Sequence, residues 1–298
     1  MRSAGRARTI GRVAIITDST ACIPADLAAR HGVRVIPLYL AFEDRTYEDG
    51  LTSEAAEFYE RLAAAAQPPT TAAPAPGVYA DFILGAGADA VLCITVSRQF
   101  SAMYDAALQG AVLARAQRPE LDVRVLDSTG AAMSQGFVVL EAARAAAEGA
   151  AIEGVIARAE ALMPRVQLLV ALDTLEYLAR SGRVPRLIIW AASPLHVKPI
   201  VRFQRGAYRP IAIARTARGA VDRLYRALER QAGGEELHVC VHHTNAAEQG
   251  QLLAERVRAA LRPQEIFVSE FTQVMGVHTG PGLLGFAFYT APQPDGAA

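Results

Sequence analysis

Cysteine is scarce: Cys22, Cys93 and Cys240 are the only three in 298 residues. They are far apart, odd in number and without CxxC spacing, so neither a disulfide framework nor a zinc site follows. Cys93 and Cys240 sit inside apolar runs and read as small buried hydrophobes. No apolar run reaches the roughly 18 residues of a membrane helix, so no integral membrane segment is expected. An excess of one charge is missing too. Thirty Lys+Arg balance thirty Asp+Glu, which argues against a nucleic-acid binder. The chain begins MRSAGRARTIGR, without the apolar stretch of a signal peptide. The expectation is a flexible basic tail over 1–11 and a cytoplasmic protein.

Nucleotide and nucleophile motifs are also lacking. No G-x-x-x-x-G-K-[ST] occurs, and Gly85-Ala86-Gly87-Ala88-Asp89-Ala90 precedes a strand where a dinucleotide fingerprint must follow one. No G-x-S-x-G surrounds Ser97 or Ser101. His242 and His243 are neighbours in a strand and point to opposite faces, so a shared metal is rejected. No cofactor is expected.

What is present is an ordinary globular composition, 52% hydrophobic and 20% charged, which excludes disorder. Short β-branched runs recur at Val13–Thr17, Arg34–Leu40, Ala90–Ser97, Asp122–Asp127, Gln167–Leu172, Val197–Phe203, Tyr208–Ala214, His238–Val241, Glu265–Phe271 and Leu283–Tyr289. Between the early ones lie Ala-rich segments with helical spacing, Ser53–Ala66, Met103–Ala116 and Met133–Ala147. Alternating strands and helices predict an α/β fold with a mainly parallel sheet. Later, two runs separated by a few residues including Gly206 predict a hairpin and a mixed sheet. Single cores stop growing near about 250–300 residues, so two domains are expected. The boundaries fall at 12–164 for an N-terminal three-layer α/β domain and 165–291 for a C-terminal α/β domain, with a tail at 292–298.

Polar clusters mark candidate sites. Thr17-Asp18-Ser19-Thr20 and Asp127-Ser128-Thr129-Gly130 each close a strand, where α/β sheets bind ligands. Local helix capping is the default reading for either cluster alone. Ser97-Arg98-Gln99-Phe100-Ser101 follows another strand and could hold an anion on hydroxyls and free N–H groups, with capping by Ser101 as the bland reading. His278-Thr279-Gly280-Pro281-Gly282 reads as a loop between late strands, its histidine a donor or base, and an incidental turn histidine is an equal alternative. Arg180-Ser181-Gly182-Arg183 follows a short helix, Thr174–Leu178, and reads first as a basic C-cap. Pro68–Gly77 cannot be regular helix or central strand. Composition favours a rigid connector over a loop that presents Thr70 and Thr71 to a site.

Taken in order, these pieces resemble the DegV family of bacterial fatty-acid-binding proteins. The resemblance runs through Ile15–Thr20, Val35-Ile36-Pro37-Leu38, Tyr47-Glu48-Asp49-Gly50, the threonine loop and the Ser97…Ser101 turn. It continues through Leu126-Asp127-Ser128, Leu175-Glu176-Tyr177-Leu178, Ser181-Gly182-Arg183, Lys198-Pro199-Ile200 and Arg215 with Arg218, and ends at His278–Gly282. It implies two α/β domains and a long-chain fatty acid in an apolar tunnel. The carboxylate would be held by Thr71, Ser97, Ser101 and His278, with Asp18, Ser19, Thr279 and Gly280 in support. It implies an acyl-carrying subunit of fatty acid kinase. A separate ATP-dependent kinase subunit, contacted through Arg183, would phosphorylate the bound acid for phospholipid synthesis. Two departures stand out. The family's Thr-Ser-Gln-Pro-Ser loop is Thr71-Ala72-Ala73-Pro74-Ala75 here, and its Ser-Gly-Thr turn is Ser101-Ala102-Met103. They imply a head-group site that is shifted, less polar or narrower in what it accepts. Phe100, Ile94, Leu172 and Met275 are candidate tunnel residues, with core packing the default for each. The alternatives are an enzyme subunit acting on a small hydroxyketone through His278, with Asp18 or Asp127 as base, as the fold's likeness to dihydroxyacetone kinases would allow, and a lipid-binding regulator without a kinase partner.

Overall fold

A computed structural model of the chain describes residues 12–42, 45–50, 55–65, 67–182, 197–232 and 236–291. The expected tails at 1–11 and 292–298, and Arg183, lie outside the described residues. In chain order the elements are β1 (Val13–Asp18), α1 (Ala25–Arg30), β2 (Arg34–Ile36), β3 (Tyr39–Phe42), β4 (Arg45–Glu48), α2 (Ala55–Ala64), β5 (Thr70–Ala72) and α3 (Pro76–Leu84). Next come β6 (Ala90–Thr95), α4 (Met103–Gln117), β7 (Asp122–Asp127), α5 (Met133–Ala147), α6 (Ile152–Leu162), β8 (Gln167–Ala171) and α7 (Glu176–Ser181). The remainder are β9 (Lys198–Gln204), β10 (Ala207–Ala214), α8 (Ala217–Glu229), β11 (Glu236–His243), α9 (Ala247–Leu261), β12 (Glu265–Glu270), α10 (Gln273–Thr279) and β13 (Leu284–Ala291).

These strands form three sheets. The first is parallel, in the order β2-β1-β6-β7. Its centre, β6, is AVLCIT with every residue buried, the continuous apolar run of a strand covered on both faces. The second has the order β10-β9-β8-β13-β11-β12 and is mixed, with β11 and β12 parallel and the other pairs antiparallel. The hairpin around Gly206 is present as β9–β10. The third is a small antiparallel sheet, β4-β3-β5.

Two elements differ from the sequence reading. The run Arg34–Leu40 is not one strand. It breaks at Pro37, which has no N–H to give a ladder, so β2 joins the parallel sheet and β3 the small one. The segment Pro68–Gly77, read as a rigid connector without regular helix, is regular in part. Thr70–Ala72 forms β5 at the edge of the small sheet, where prolines can flank a strand, and Pro76 opens α3 at a position that needs no donor.

Side-chain alternation builds the layers. On β8, Leu168 and Val170 face one core while Leu169 and Ala171 face another. The first core holds α5 between the parallel and mixed sheets, which is why α5 is buried nearly all round, from Met133 to Ala145. The second lies under α8 and α9. A third packs α3 and α4 against the opposite face of the parallel sheet. The core around α5 draws residues from both sides of position 165. Phe137 at its centre is 1% exposed, so its truncation to Ala would cost about 3–5 kcal/mol.

Candidate functional site

The carboxyl ends of β1, β6 and β7 point toward the mixed sheet, and a cavity opens there. It contains about 820 Å³ of empty space, counting its open side. Thr20, Val96 and Ala131 contribute from the ends of the parallel strands, and Leu168, Val170, Leu172 and Phe203 from the mixed sheet. The rest of the wall is Leu38, Thr71, Phe100, Ser101, Leu178 and Phe271, with Val274, Met275, His278 and Thr279. The lining is mostly apolar with a few polar side chains, as in small-molecule sites. Of the candidate tunnel residues, Phe100, Leu172 and Met275 line the cavity, whereas Ile94 is core.

The polar candidates divide into two groups. Thr71, Ser101, His278 and Thr279 reach the cavity. Thr71 Oγ1 lies 3.1 Å from His278 Nε2, although the two are 207 residues apart in sequence. The histidine is not on a loop as expected. It occupies the last turn of α10, which ends at Gly280 with φ 75°. A Cβ at Gly280 would overlap the Tyr177 ring, so glycine is needed for both backbone and space. Thr279 Oγ1 donates to the carbonyl of Met275 at 3.1 Å. Ser101 does not cap α4, whose N-cap position is Ala102 without a side-chain bond.

Ser97, Asp18 and Ser19 stand behind the lining. Ser97 is 0% exposed and its Oγ accepts from the N–H of Gln99 at 3.3 Å. Asp18 is also fully buried, and accepts from Val96 N at 2.9 Å, Thr20 N at 3.1 Å and the Thr20 hydroxyl. It therefore clamps the ends of β1 and β6. Burial pushes its carboxyl above the usual carboxylate range. Asp127 accepts from Thr129 N at 2.8 Å, so both strand-end aspartates act locally, and neither is among the residues that line the cavity. The base required by the hydroxyketone reading is thus missing from the wall at Asp18 and Asp127.

Sequence reasoning assigned no role to Asp49. Its Oδ2 accepts from Ser19 Oγ at 2.6 Å and its Oδ1 from Val274 N at 3.0 Å, while Ser19 Oγ accepts from Leu38 N at 3.1 Å. This chain of bonds ties the end of β1 and the start of β3 to α10, and so places His278. Its only signal in sequence is its place in the Tyr47-Glu48-Asp49-Gly50 segment of the family resemblance.

A second cavity, with about 650 Å³ of empty space counting its open side, shares Thr71 and His278 as part of its wall, with Leu62, Thr70, Tyr177, Arg180, Ser181 and Val277 among its other lining residues. All three thiols are buried and outside disulfides, and burial pushes the Cys93 thiol up to about 12, so it is a poor nucleophile. Among the described residues no group of three His, Cys, Asp or Glu is placed to hold a metal ion. Within them no helix is long and apolar enough to cross a membrane. His242 and His243 each keep separate partners.

Parallel and mixed sheets around an apolar cavity, with a small third sheet that carries the threonine of a Thr–His pair in its wall, define the class as an α/β protein with an internal apolar site. The DegV family model, described as that of an uncharacterised protein family, matches residues 12–291. The chain belongs to the DegV family. A DegV domain-containing protein of Streptomyces coelicolor is 35% identical over 92% of this chain and 96% of its own length. Protein DegV of Bacillus subtilis is 31% identical over 93% and 98%. Among solved structures, a DegV family protein from Thermus thermophilus, described by its fatty acid binding, superposes with a TM-score of 0.86 at 29% identity, covering 94% of this chain and all of that one. DegV of Bacillus subtilis, described as a fatty acid binding protein, gives a TM-score of 0.83 at 30% identity and covers 94% of this chain.

Proposed function

We propose that this protein binds a long-chain fatty acid in the apolar cavity and presents its carboxylate to a separate ATP-dependent kinase subunit for acyl phosphate formation. The observation that carries the reading is the Thr71–His278 pair, 3.1 Å apart in the wall of an otherwise apolar cavity. Burying methylenes supplies affinity at roughly 0.8 kcal/mol each. A buried carboxylate needs donors, or it takes up a proton. If His278 Nε2 carries the hydrogen and donates to Thr71 Oγ1, the threonine can turn its own O–H to the carboxylate. Ser101, in the same lining, is a further hydroxyl. The fatty acid binding of the Thermus thermophilus and Bacillus subtilis relatives supports the same ligand class. In this reading Arg183 contacts the kinase subunit, the acyl phosphate feeds phospholipid synthesis, and the protein works in the cytoplasm without a cofactor of its own.

Native mass spectrometry of the purified chain, followed by organic extraction, tests the reading. A stoichiometric long-chain fatty acid is expected. Protein that is empty and takes up no added fatty acid overturns it. For the finer role, Arg183→Ala should leave fatty acid binding intact and slow acyl phosphate formation by an added kinase subunit; equal loss of both would place Arg183 in the pocket or the fold.

A further inference from the structure

The chain is neutral overall, yet from Lys198 to Arg230 it carries nine Lys and Arg against two Asp and Glu. That stretch folds into the β9–β10 hairpin and α8, at one edge of the mixed sheet. Three of its arginines meet on one face. Arg202 on β9 and Arg209 on β10 stand directly opposite each other in the antiparallel ladder, so both side chains leave the sheet on the same side. It is the side that α8 covers, because Ile200, two residues before Arg202, packs with Leu224 and Leu228 of that helix. Arg230 is the C-cap of α8, and it lies close enough to repel the Arg202 guanidinium, as Arg209 does. Among the described residues none of the three arginines is in an ion pair.

Two buried polar atoms on this face also lack a hydrogen-bond partner among the described residues, Arg202 Nε and Gln167 Oε1. Leu169 stands opposite Arg202, and Gln167 is two residues along β8 from Leu169, so it points to the same side. A water between the two atoms would satisfy them and leave three like charges unanswered. An oxyanion answers both needs, since the Gln167 amide can turn its NH₂ inward.

We infer that Arg202, Arg209, Arg230 and Gln167 form an anion site on the α8 side of the mixed sheet that takes a phosphate group, free or as a monoester. Guanidinium forks match phosphate oxygens in pairs. The C-terminus of α8 opposes an anion with about half a negative charge, against three full positive ones. Arg209 and Arg230 are exposed, so the site is open, and the rest of a monoester can stay in water. Arg202 and Gln167 adjoin Phe203 and Leu168, which line the apolar cavity from the opposite face of the same strands. The sheet therefore separates the two sites, and this one stands whatever ligand fills the cavity.

Isothermal titration of the full chain with inorganic phosphate, at an ionic strength fixed with chloride, tests the site. Wild type should bind one phosphate. Arg209→Gln and Arg230→Gln should each bind it at least about tenfold more weakly, with the fold checked by circular dichroism. Arg262→Gln removes another exposed arginine, beside β12 at the opposite edge of the sheet. It should bind phosphate within about twofold of wild type. Monoethyl phosphate separates the sources. Binding as tight as that of phosphate, and lost in Arg209→Gln, supports the site with a monoester as occupant; much weaker binding, beside intact phosphate binding, supports it for free phosphate. No phosphate binding to wild type overturns the site. A loss shared equally by Arg262→Gln also overturns it, by reducing the cluster to general screening of surface charge, and unchanged affinity in both Arg209→Gln and Arg230→Gln would place any bound phosphate elsewhere.

Discussion

Thr71, on an edge strand of the small sheet, and His278, in the last turn of a seven-residue helix, meet at 3.1 Å across the cavity wall. Neither element is rigid by length. The contact is held instead by Asp49, which bonds both Ser19 and the backbone of Val274. Loss of a hydrogen bond to a charged group costs about 1.5–3 kcal/mol. His278→Ala and Thr71→Val should therefore each weaken fatty acid binding about 10- to 100-fold, and the double variant should lose less than the product of the two, since the pair acts as a unit. Isothermal titration with palmitate reads the effect, and circular dichroism confirms the fold. Unaltered affinity in the double variant would remove both residues from the head-group site.

How far the sequence carried this site depends on the kind of residue. The central strands were legible because runs such as AVLCIT and VAIIT are apolar and β-branched over a strand's length. Helix Met133–Ala147 was legible from its composition and is observed with those ends. The break at Pro37 was hidden, because a single proline between apolar residues reads equally as an edge strand. The helix QVMGVHT has a central glycine and no capping side chain, so local signals favoured a loop. From composition alone the prolines around Thr71 mask it, and only the family resemblance singles it out. Ser97 and Asp18 stand out in sequence by their place after strands and by the family resemblance, but a buried polar group is more often spent on the backbone nearest to it, as both are here.

Two helical glycines should respond to alanine with opposite signs. Alanine improves helix propensity by about 1 kcal/mol. At Gly154 the new methyl meets only the Ala150 side chain at 3.5 Å, an ordinary contact, so Gly154→Ala should be stabilising by up to about that amount. At Gly110 it would meet the Pro76 carbonyl at 2.8 Å and the Tyr79 Cβ, where α4 lies against α3 and backbone cannot step aside cheaply. Overpacking of this kind costs about 1–3 kcal/mol, so Gly110→Ala should lower the urea midpoint. The same sign for both variants would show that α3 and α4 are free to separate.

His242 should make the fold acid-sensitive. Met133 N–H donates to its Nε2 at 3.1 Å, so the ring's proton sits on Nδ1, facing the Ser269 carbonyl at 3.2 Å. A second proton would displace Met133, and burial pushes the pKa down to about 3. The unfolded chain takes that proton near the ordinary value of about 6.5. The unfolded state then binds more protons between these values, so stability is full above about pH 6.5 and is lost as pH falls toward 3. Between pH 7 and 5 this one group removes about 2 kcal/mol. His243, also pushed down by burial, adds in the same direction. Asp18 and Asp49, pushed up by burial, act in the opposite sense, favouring the folded state where they hold a proton. In urea titrations His242→Gln should start less stable at pH 7 and lose distinctly less on going to pH 5. An equal loss in both proteins would assign the acid sensitivity elsewhere.

The exposed edge of the mixed sheet carries a charge conflict that should be removable. Arg202 on β9 and Arg209 on β10 are directly paired across the antiparallel ladder. Like charges in that position repel. The Arg202 guanidinium is pushed below its ordinary range, first by burial and then by Arg209 and Arg230. Its Nε is buried without a hydrogen-bond partner among the described residues. Arg209 itself is exposed, so solvent screens the repulsion and the gain from removing it is small, about 0.5 kcal/mol. Threonine suits an edge strand and keeps it polar, and Arg205 next to the turn retains a charge near that edge. Arg209→Thr should thus raise the thermal midpoint slightly at low ionic strength. At 1 M salt, where the screening length falls to about 3 Å, the advantage should shrink to what strand propensity alone supplies. A variant that gains equally at both salt concentrations would trace the effect to threonine's backbone preference, and one that gains at neither would mean that Arg209 already extends far enough into water to escape Arg202.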